Sequence, residues 1–318
     1  MAPRRSRVGR PVALVTGGGT GLGLAIARGL AEDGYDLVIA SRSATHLAAG
    51  ASAIRATGAR VRTVPTDVRI PDHVDRLVAT VRSEFGRLDV LVNNAAGNFV
   101  APAERISPNG WRAVVGIVLD GTFLCSRAAF PLLRRSRAPS IVNLAASYAW
   151  MAGPGTAHSA AAKAGVVALT RTLAVEWAPF GIRVNAVAPG PIRTAGTDRQ
   201  LWPTAELRRR IADGIPLGRF GRPSDVVEAV RFLVGPGASY ITGEVLSVDG
   251  GQWLGTGVMP LRLRVKRRGG ARAPAGRGPR TAARSAPRGT SAGRPHTAPG
   301  ASTAARSPRR AVAGPTGS

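Results

Sequence analysis

Thr16-Gly17-Gly18-Gly19-Thr20-Gly21-Leu22-Gly23 stands between the apolar run VALVT (12–16) and a helical pattern from Leu22 to Glu32. A buried strand that turns through glycines straight into a helix is the opening unit of a βαβ fold and leaves few other architectures open. The alternation continues. DLVIA (36–40), VRTVPT (61–66), DVLVN (89–93), SIVNLA (140–145), IRVNAVA (182–188) and a segment near Val245 read as strands. Residues 44–57, 72–85, 108–135, 156–178 and a stretch from about Ser224 read as helices, with Val74, Leu77, Val78 and Val81 at helical spacing. Short apolar runs alternating with helices predict a parallel sheet covered on both faces. The expected fold is α/β, a doubly wound Rossmann-type sheet of about seven strands in one domain over residues 11–261.

The charge lies mostly outside that domain. The chain has 44 Lys+Arg against 18 Asp+Glu, yet every acid falls between Glu32 and Asp249. Residues 262–318 carry 14 basic residues and no acid, and Arg4, Arg5, Arg7 and Arg10 crowd the first ten. A tail of Arg, Ala, Pro, Gly, Ser and Thr cannot offset the entropy of ordering, so 262–318 is expected to be disordered, as is a basic leader over 1–10. Such a tail could neutralise nucleic-acid phosphates, but it has no aromatic residue for stacking on bases. A GC-rich gene read out of frame past Met259 would give the same composition, and an inert extension is the preferred reading over nucleic-acid binding. Cys125 is the sole cysteine, which excludes an internal disulfide and a thiolate metal cluster; the four histidines are scattered, so no metal is expected. No uninterrupted apolar run reaches the roughly 18 residues of a membrane span. A soluble, cytoplasmic protein is the expectation.

The glycine turn predicts a dinucleotide site, with Gly17, Gly19, Thr20, Gly21, Leu22 and Gly23 bringing backbone amides and a helix N-terminus to a pyrophosphate. Strand two ends Ala40-Ser41-Arg42, without the acid that would bind an adenosine ribose diol. Ser41 and Arg42 suit a 2′-phosphate instead, so NADPH is the expected coenzyme. Asp67 and Val68 would hold the adenine edge, and Asn94 and Ala95, within Asn93-Asn94-Ala95-Ala96-Gly97, would pass beneath the ribose.

TGGGTGLG, NNAAG, Lys163 within a helix and Pro189-Gly190-Pro191-Ile192, in that order over residues 11–254, resemble the short-chain dehydrogenase/reductase superfamily. The resemblance implies that Pro189, Gly190, Pro191 and Ile192 pack on the nicotinamide and that Lys163 binds its ribose. Most members carry Tyr four residues before the Lys, Ser thirteen before that Tyr, and Asn on the preceding helix. This chain has Ser159, Ala146 and Val118 there. Tyr148 lies fifteen residues before Lys163, at the end of strand five. That displaced tyrosine, with NNAAGNF (93–99), SPNGW (107–111) and the I-V-L-x-G-T segment (117–122), resembles the NADPH-dependent 2,4-dienoyl-CoA reductases of mitochondrial type.

The implied reaction reduces a 2,4-dienoyl-CoA thioester to a 3-enoyl-CoA, an auxiliary step of fatty-acid β-oxidation. By resemblance, Tyr148 and Asn98 donate hydrogen bonds to the developing dienolate, Ser159 orders that network, and Lys163 favours a lowered tyrosine pKa. The acyl-CoA contacts map onto Arg69, Phe99 and Ser107; a further arginine aligns with Gln200, next to Arg199, and residues 197–206 would form part of a lid. Other uses remain open for single residues: Tyr148 as an aromatic cap on the core, Asn98 as a turn former, Arg42 as an ordinary exposed arginine. Trp111, Trp150, Trp177 and Trp202 read as packing residues. The competing functions are a 3-oxoacyl or other carbonyl reductase and a catalytically silent NADP-binding protein with a nucleic-acid-binding tail. A homotetramer built through the two long helices is implied by resemblance only.

Overall fold

Successive residues along each inner strand are buried in opposite directions, which is what a parallel sheet covered on both faces demands. Ala13, Val15, Leu37, Ile39, Val90, Val92 and Leu144 belong to one apolar cluster. Val12, Leu14, Val38, Ala40, Leu91 and Ile141 belong to the other. The computed structural model describes residues 9–255. The chain divides into one unit over Met1–Leu261 and another over Arg262–Ser318. The tail and the first eight residues of the leader lie outside the described residues. Arg10, the last leader residue, donates from Nε to Gly34 O and from Nη1 to Gly58 O, both at 2.9 Å.

The strands are β1 (Val12–Thr16), β2 (Asp36–Ser41), β3 (Val61–Pro65), β4 (Val90–Asn93), β5 (Ser140–Leu144), β6 (Arg183–Pro189) and β7 (Val245–Val248). All pair in parallel, in the order β3-β2-β1-β4-β5-β6-β7. This is the doubly wound, Rossmann-type arrangement expected. The winding reverses between β1 and β4, so a crevice opens beyond their C-terminal ends.

Helices α1 (Gly21–Glu32), α2 (Ala44–Arg55) and α9 (Pro223–Val234) cover the first face, through residues such as Ile26, Leu30, Leu47, Ile54 and Val230. Helices α3 (Pro71–Phe85), α5 (Gly121–Leu133) and α6 (Ala157–Trp177) cover the second, through Leu77, Val81, Leu133 and Leu173. Each such leucine or isoleucine, fully withdrawn from water, contributes roughly 1.5–3 kcal/mol. The helical stretch 108–135, expected as one helix, is α4 (Pro108–Val115), a π turn over Gly116–Asp120, and then α5. An inserted π turn is a frequent mark of a functional site. The rod Pro108–Leu133 is long and apolar enough, by length and composition, to cross a membrane. Here Val114, Val118, Cys125, Ala129 and Leu133 are buried against the rest of the domain. Two short helices, α7 (Ala195–Gln200) and α8 (Ala205–Asp213), stand where the sequence suggested a lid.

Candidate active site

The turn between β1 and α1 is left-handed at Gly17, with φ of 66°, and Gly17 N–H donates to Ala40 O at 2.7 Å. A Cβ on Gly23 would sit 2.3 Å from Gly17 O and 2.4 Å from Asn94 Nδ2. Only glycine lets α1 start so close to the turn. Thr20 precedes α1 without capping it by its side chain, and the first turn carries no acid. The helix therefore presents its amide donors and positive end to the crevice, which suits a pyrophosphate. The turn after β4 is tied to it: Thr16 Oγ1 accepts from Asn94 N–H and Ala95 N–H at 3.0 Å each, and Asn94 Nδ2 donates to Thr16 O at 2.9 Å.

Around these turns lies an open cleft of about 1050 Å³. It is lined by Gly17, Thr20, Gly21, Leu22 and Gly23 at the first turn, by Ser41 and Arg42 after β2, and by Asp67 and Val68 after β3. Asn94, Ala95, Tyr148, Lys163, Pro189, Gly190 and Ile192 complete the expected set on its walls. Gly19 packs instead on the α2 backbone at His46. Pro191 uses its carbonyl to accept from Gly221 N–H at 3.0 Å, pinning the loop after β6. The cradle, an uncapped helix start and a cleft lined from the ends of β2 and β3 across to the end of β6 fit a dinucleotide coenzyme. Arg42 is exposed and in no salt bridge among the described residues.

Tyr148 stands on a 3₁₀ turn, Ser147–Ala149, directly beyond β5. Its hydroxyl lies 3.1 Å from Ser159 Oγ. Ser159 and Lys163 are one turn apart on α6 and so share a face. Lys163 Nζ donates to Leu144 O, and burial pushes its ammonium down to about 8. The expectation that Lys163 lowers the tyrosine pKa is corrected. Burial raises the Tyr148 phenol, and the Ser159 hydrogen bond only partly opposes it. The ammonium is turned to the β5 carbonyl rather than to the phenol.

Two residues assigned to coenzyme and substrate separately are bound to one another. Arg69 donates from Nε to Asp67 Oδ1 at 2.9 Å and from Nη2 to Oδ2 at 2.5 Å. That bidentate pair holds the Asp67 carboxyl at about 2. Ser107 Oγ accepts from Gly110 N–H at 3.1 Å and caps α4. Phe99 is partly exposed and meets the His158 ring edge to face, with centroids 4.3 Å apart. Asn98 Oδ1 is buried without a hydrogen-bond partner among the described residues. The Arg199 side chain lies outside the described residues.

Sequence reasoning missed part of the wall. Trp202, read as a packing residue, lines the cleft with Leu201 and meets Phe220 at 4.9 Å. Trp111 and Trp150 are partly exposed away from the cleft, Trp150 meeting Trp253 edge to face at 6.2 Å, and Trp177 packs on Phe130 as expected. Ile117, on the π turn, also faces the cleft. No residue type marks these positions in advance; only the path of α7 and the π turn brings them in.

The chain belongs to the short-chain dehydrogenase/reductase family of oxidoreductases. A family model described as "Enoyl-(Acyl carrier protein) reductase" matches residues 17–252. A Bacillus subtilis (strain 168) protein named a probable 2,4-dienoyl-CoA reductase, (2E)-enoyl-CoA-producing, is 45% identical over 76% of this chain and 96% of that protein. The Danio rerio peroxisomal 2,4-dienoyl-CoA reductase, (3E)-enoyl-CoA-producing, is 41% identical over 76% of this chain and 81% of its own length. A Synechocystis 3-oxoacyl-[acyl-carrier-protein] reductase is 40% identical over 76% of this chain and 96% of that protein. Among solved structures, a short chain dehydrogenase from Bacillus anthracis is 42% identical, with a TM-score of 0.69, covering 76% of this chain and 96% of that one.

Proposed function

We propose that this oxidoreductase reduces 2,4-dienoyl-CoA thioesters to 3-enoyl-CoA with NADPH. The observation that carries the reading is Tyr148 on the cleft wall beside Lys163, with its hydroxyl paired to the buried Ser159 behind it. A serine occupies the position where a carbonyl reductase of this family keeps its proton-donating tyrosine, and the tyrosine reaches it from the end of β5 instead. The names of the Bacillus subtilis and Danio rerio relatives point to the same substrate class.

The coenzyme, when bound, supplies a hydride to the far end of the conjugated diene. Lys163 would meet the nicotinamide ribose, Pro189, Gly190 and Ile192 would flank the ring, and Arg42 with Ser41 would take the 2′-phosphate of NADPH. As the diene accepts two electrons, charge moves onto the thioester oxygen, and a proton from solvent water then adds at carbon two. A donor aimed at that oxygen must carry its proton throughout. The raised pKa of Tyr148 keeps its phenol protonated across the physiological range, which suits donation to a dienolate and would disfavour service as a base. Ser159 accepts from or donates to the phenol and fixes its direction. Asn98 supplies the second donor from its NH₂ group.

NADPH oxidation by the purified protein, with a trans-2,trans-4-dienoyl-CoA beside a 3-oxoacyl-CoA, tests the reading. Turnover of the dienoyl thioester with a 3-enoyl product is expected. Turnover of the ketone alone would overturn the substrate assignment, and a 2-enoyl product would overturn protonation at carbon two.

A further inference from the structure

Four buried side-chain atoms lack a hydrogen-bond partner among the described residues, and two of them, Asn98 Oδ1 and His158 Nε2, are linked through Phe99, which follows Asn98 in the chain and whose ring meets the imidazole. Such atoms cost free energy in the interior and call for a partner that another state of the protein supplies. The two are chemically complementary. Ser159 N–H donates to His158 Nδ1 at 2.8 Å, so in the neutral ring the proton sits on Nε2. His158 Nε2–H is thus a donor without an acceptor, and Asn98 Oδ1 is an acceptor without a donor.

Their places in the fold bring them together. His158, Ala162 and Val166 share one face of α6, and Ala162 and Val166 pack on Val114 of α4 and Val118 of the π turn. The imidazole is fully buried and held edge-on by Phe99, the neighbour of Asn98. Asn98 sits in an irregular segment, 94–102, fastened at one end by Asn94 and Ala95 on Thr16 and at the other by Ala101 N–H on Gly155 O at 3.0 Å. Between those points residues 96–100 make no backbone hydrogen bond to another described residue, so a small movement there is inexpensive. Asn94, Ala95 and Ala96 line the coenzyme cleft, so the coenzyme settles on this segment directly.

We infer that His158 is a positioning residue: in the coenzyme complex its Nε2–H holds Asn98 Oδ1 and thereby turns the Asn98 NH₂ toward the thioester oxygen. An amide has one acceptor end and one donor end. Anchoring the oxygen decides which end meets the substrate, and a free Asn98 would present its oxygen to a developing anion part of the time. This inference rests on the substrate reading above for the role of the NH₂ group, but the His158–Asn98 pairing can be measured without it.

The test is a double-mutant cycle on the full chain with NADPH and a trans-2,trans-4-dienoyl-CoA. His158→Leu should lower kcat about fivefold to tenfold, the effect of one neutral hydrogen bond, with KM unchanged and the Kd for NADPH raised by no more than the same factor, because the bond forms only in the coenzyme complex. His158→Gln, which places an N–H donor near Nε2, should recover most of that loss. In an Asn98→Ala background His158→Leu should lower kcat no further. An equal loss in both backgrounds, or no loss in either, overturns the inference. A second measurement needs no turnover: with NADP⁺ bound and histidine ¹⁵N-labelled, Asn98→Ala should shift the Nε2–H resonance that His158→Gln removes. If the wild type ignores the dienoyl thioester yet that resonance moves, the substrate reading fails and the pairing stands. If the resonance stays put, the pairing fails whatever the substrate.

Discussion

Tyr148→Phe removes one oxygen and keeps the ring. In the resting protein the lost contact is a single hydroxyl pair with Ser159 at 3.1 Å, worth about 1 kcal/mol net. For a domain of this size that lowers Tm by roughly 2–4 °C. In the transition state the loss is greater, because the phenol is asked to stabilise charge that does not exist in the ground state. Removing one such preorganised donor costs about 2.7–4 kcal/mol, or 10²- to 10³-fold in kcat. The two figures separate the functions of the group. NADPH binding, followed by fluorescence, should stay within about twofold, since Tyr148 makes no contact that the coenzyme cradle at Gly17–Gly23 depends on. The assay is NADPH oxidation at saturating dienoyl-CoA beside that titration. A kcat loss below about tenfold with folding and binding intact would refute the claim that Tyr148 meets the developing oxyanion. Loss of NADPH binding in parallel with kcat would refute it differently, by making Tyr148 part of the coenzyme cradle.

The fold was legible because its signals are local and repeated. Apolar five-residue runs separated by helical spacing can close only into a parallel sheet with both faces covered, and every strand appears within a residue or two of its expected place. Side chains on the strand ends and turns, such as Gly17, Ser41, Asp67, Asn94 and Pro189, were legible for the same reason: the topology alone carries them to one crevice. What sequence could not give depends on side-chain direction. Lys163 turns to the Leu144 carbonyl, and Arg69 folds back on Asp67. Both follow from the nearest strong partner in three dimensions, which spacing does not reveal. Trp202 and Ile117 escaped because a short helix and a π turn, neither with a strong periodic signature, decide where they point. Nothing in the spacing of the four histidines singles out His158; its burial and its unpaired nitrogen do so only in three dimensions.

Arg42→Ala should raise the Kd for NADPH roughly tenfold to a hundredfold, the worth of charge-assisted hydrogen bonds, and leave NADH nearly unaffected. An equal effect on both coenzymes, read by fluorescence titration, would remove Arg42 from the 2′-phosphate. Asp89→Asn should destabilise the domain by about 2–4 kcal/mol at pH 7 in urea, because the buried carboxylate accepts from Val12 N–H at 2.8 Å and from Arg87 twice. Burial pushes the Asp89 carboxyl up, but those partners together outweigh it and hold the group below its ordinary value of 3.8, so its contribution is present above that pH and lost as pH falls through the lower folded value; the difference from the variant should shrink accordingly. Lys163 gives the opposite limb of the profile. Burial puts its folded pKa at about 8 against an ordinary 10.5, so between those values the unfolded chain holds a proton that the folded chain has released. Stability must then rise with pH across that window, by at most about 3 kcal/mol in total. Lys163→Met removes the titration, so the stability difference, wild type minus variant, should grow between pH 8 and pH 10 when urea midpoints of the coenzyme-free proteins are compared. A difference independent of pH would mean that Nζ is solvated or charge-paired in the folded state, and its bond to the Leu144 carbonyl would then not describe the resting site.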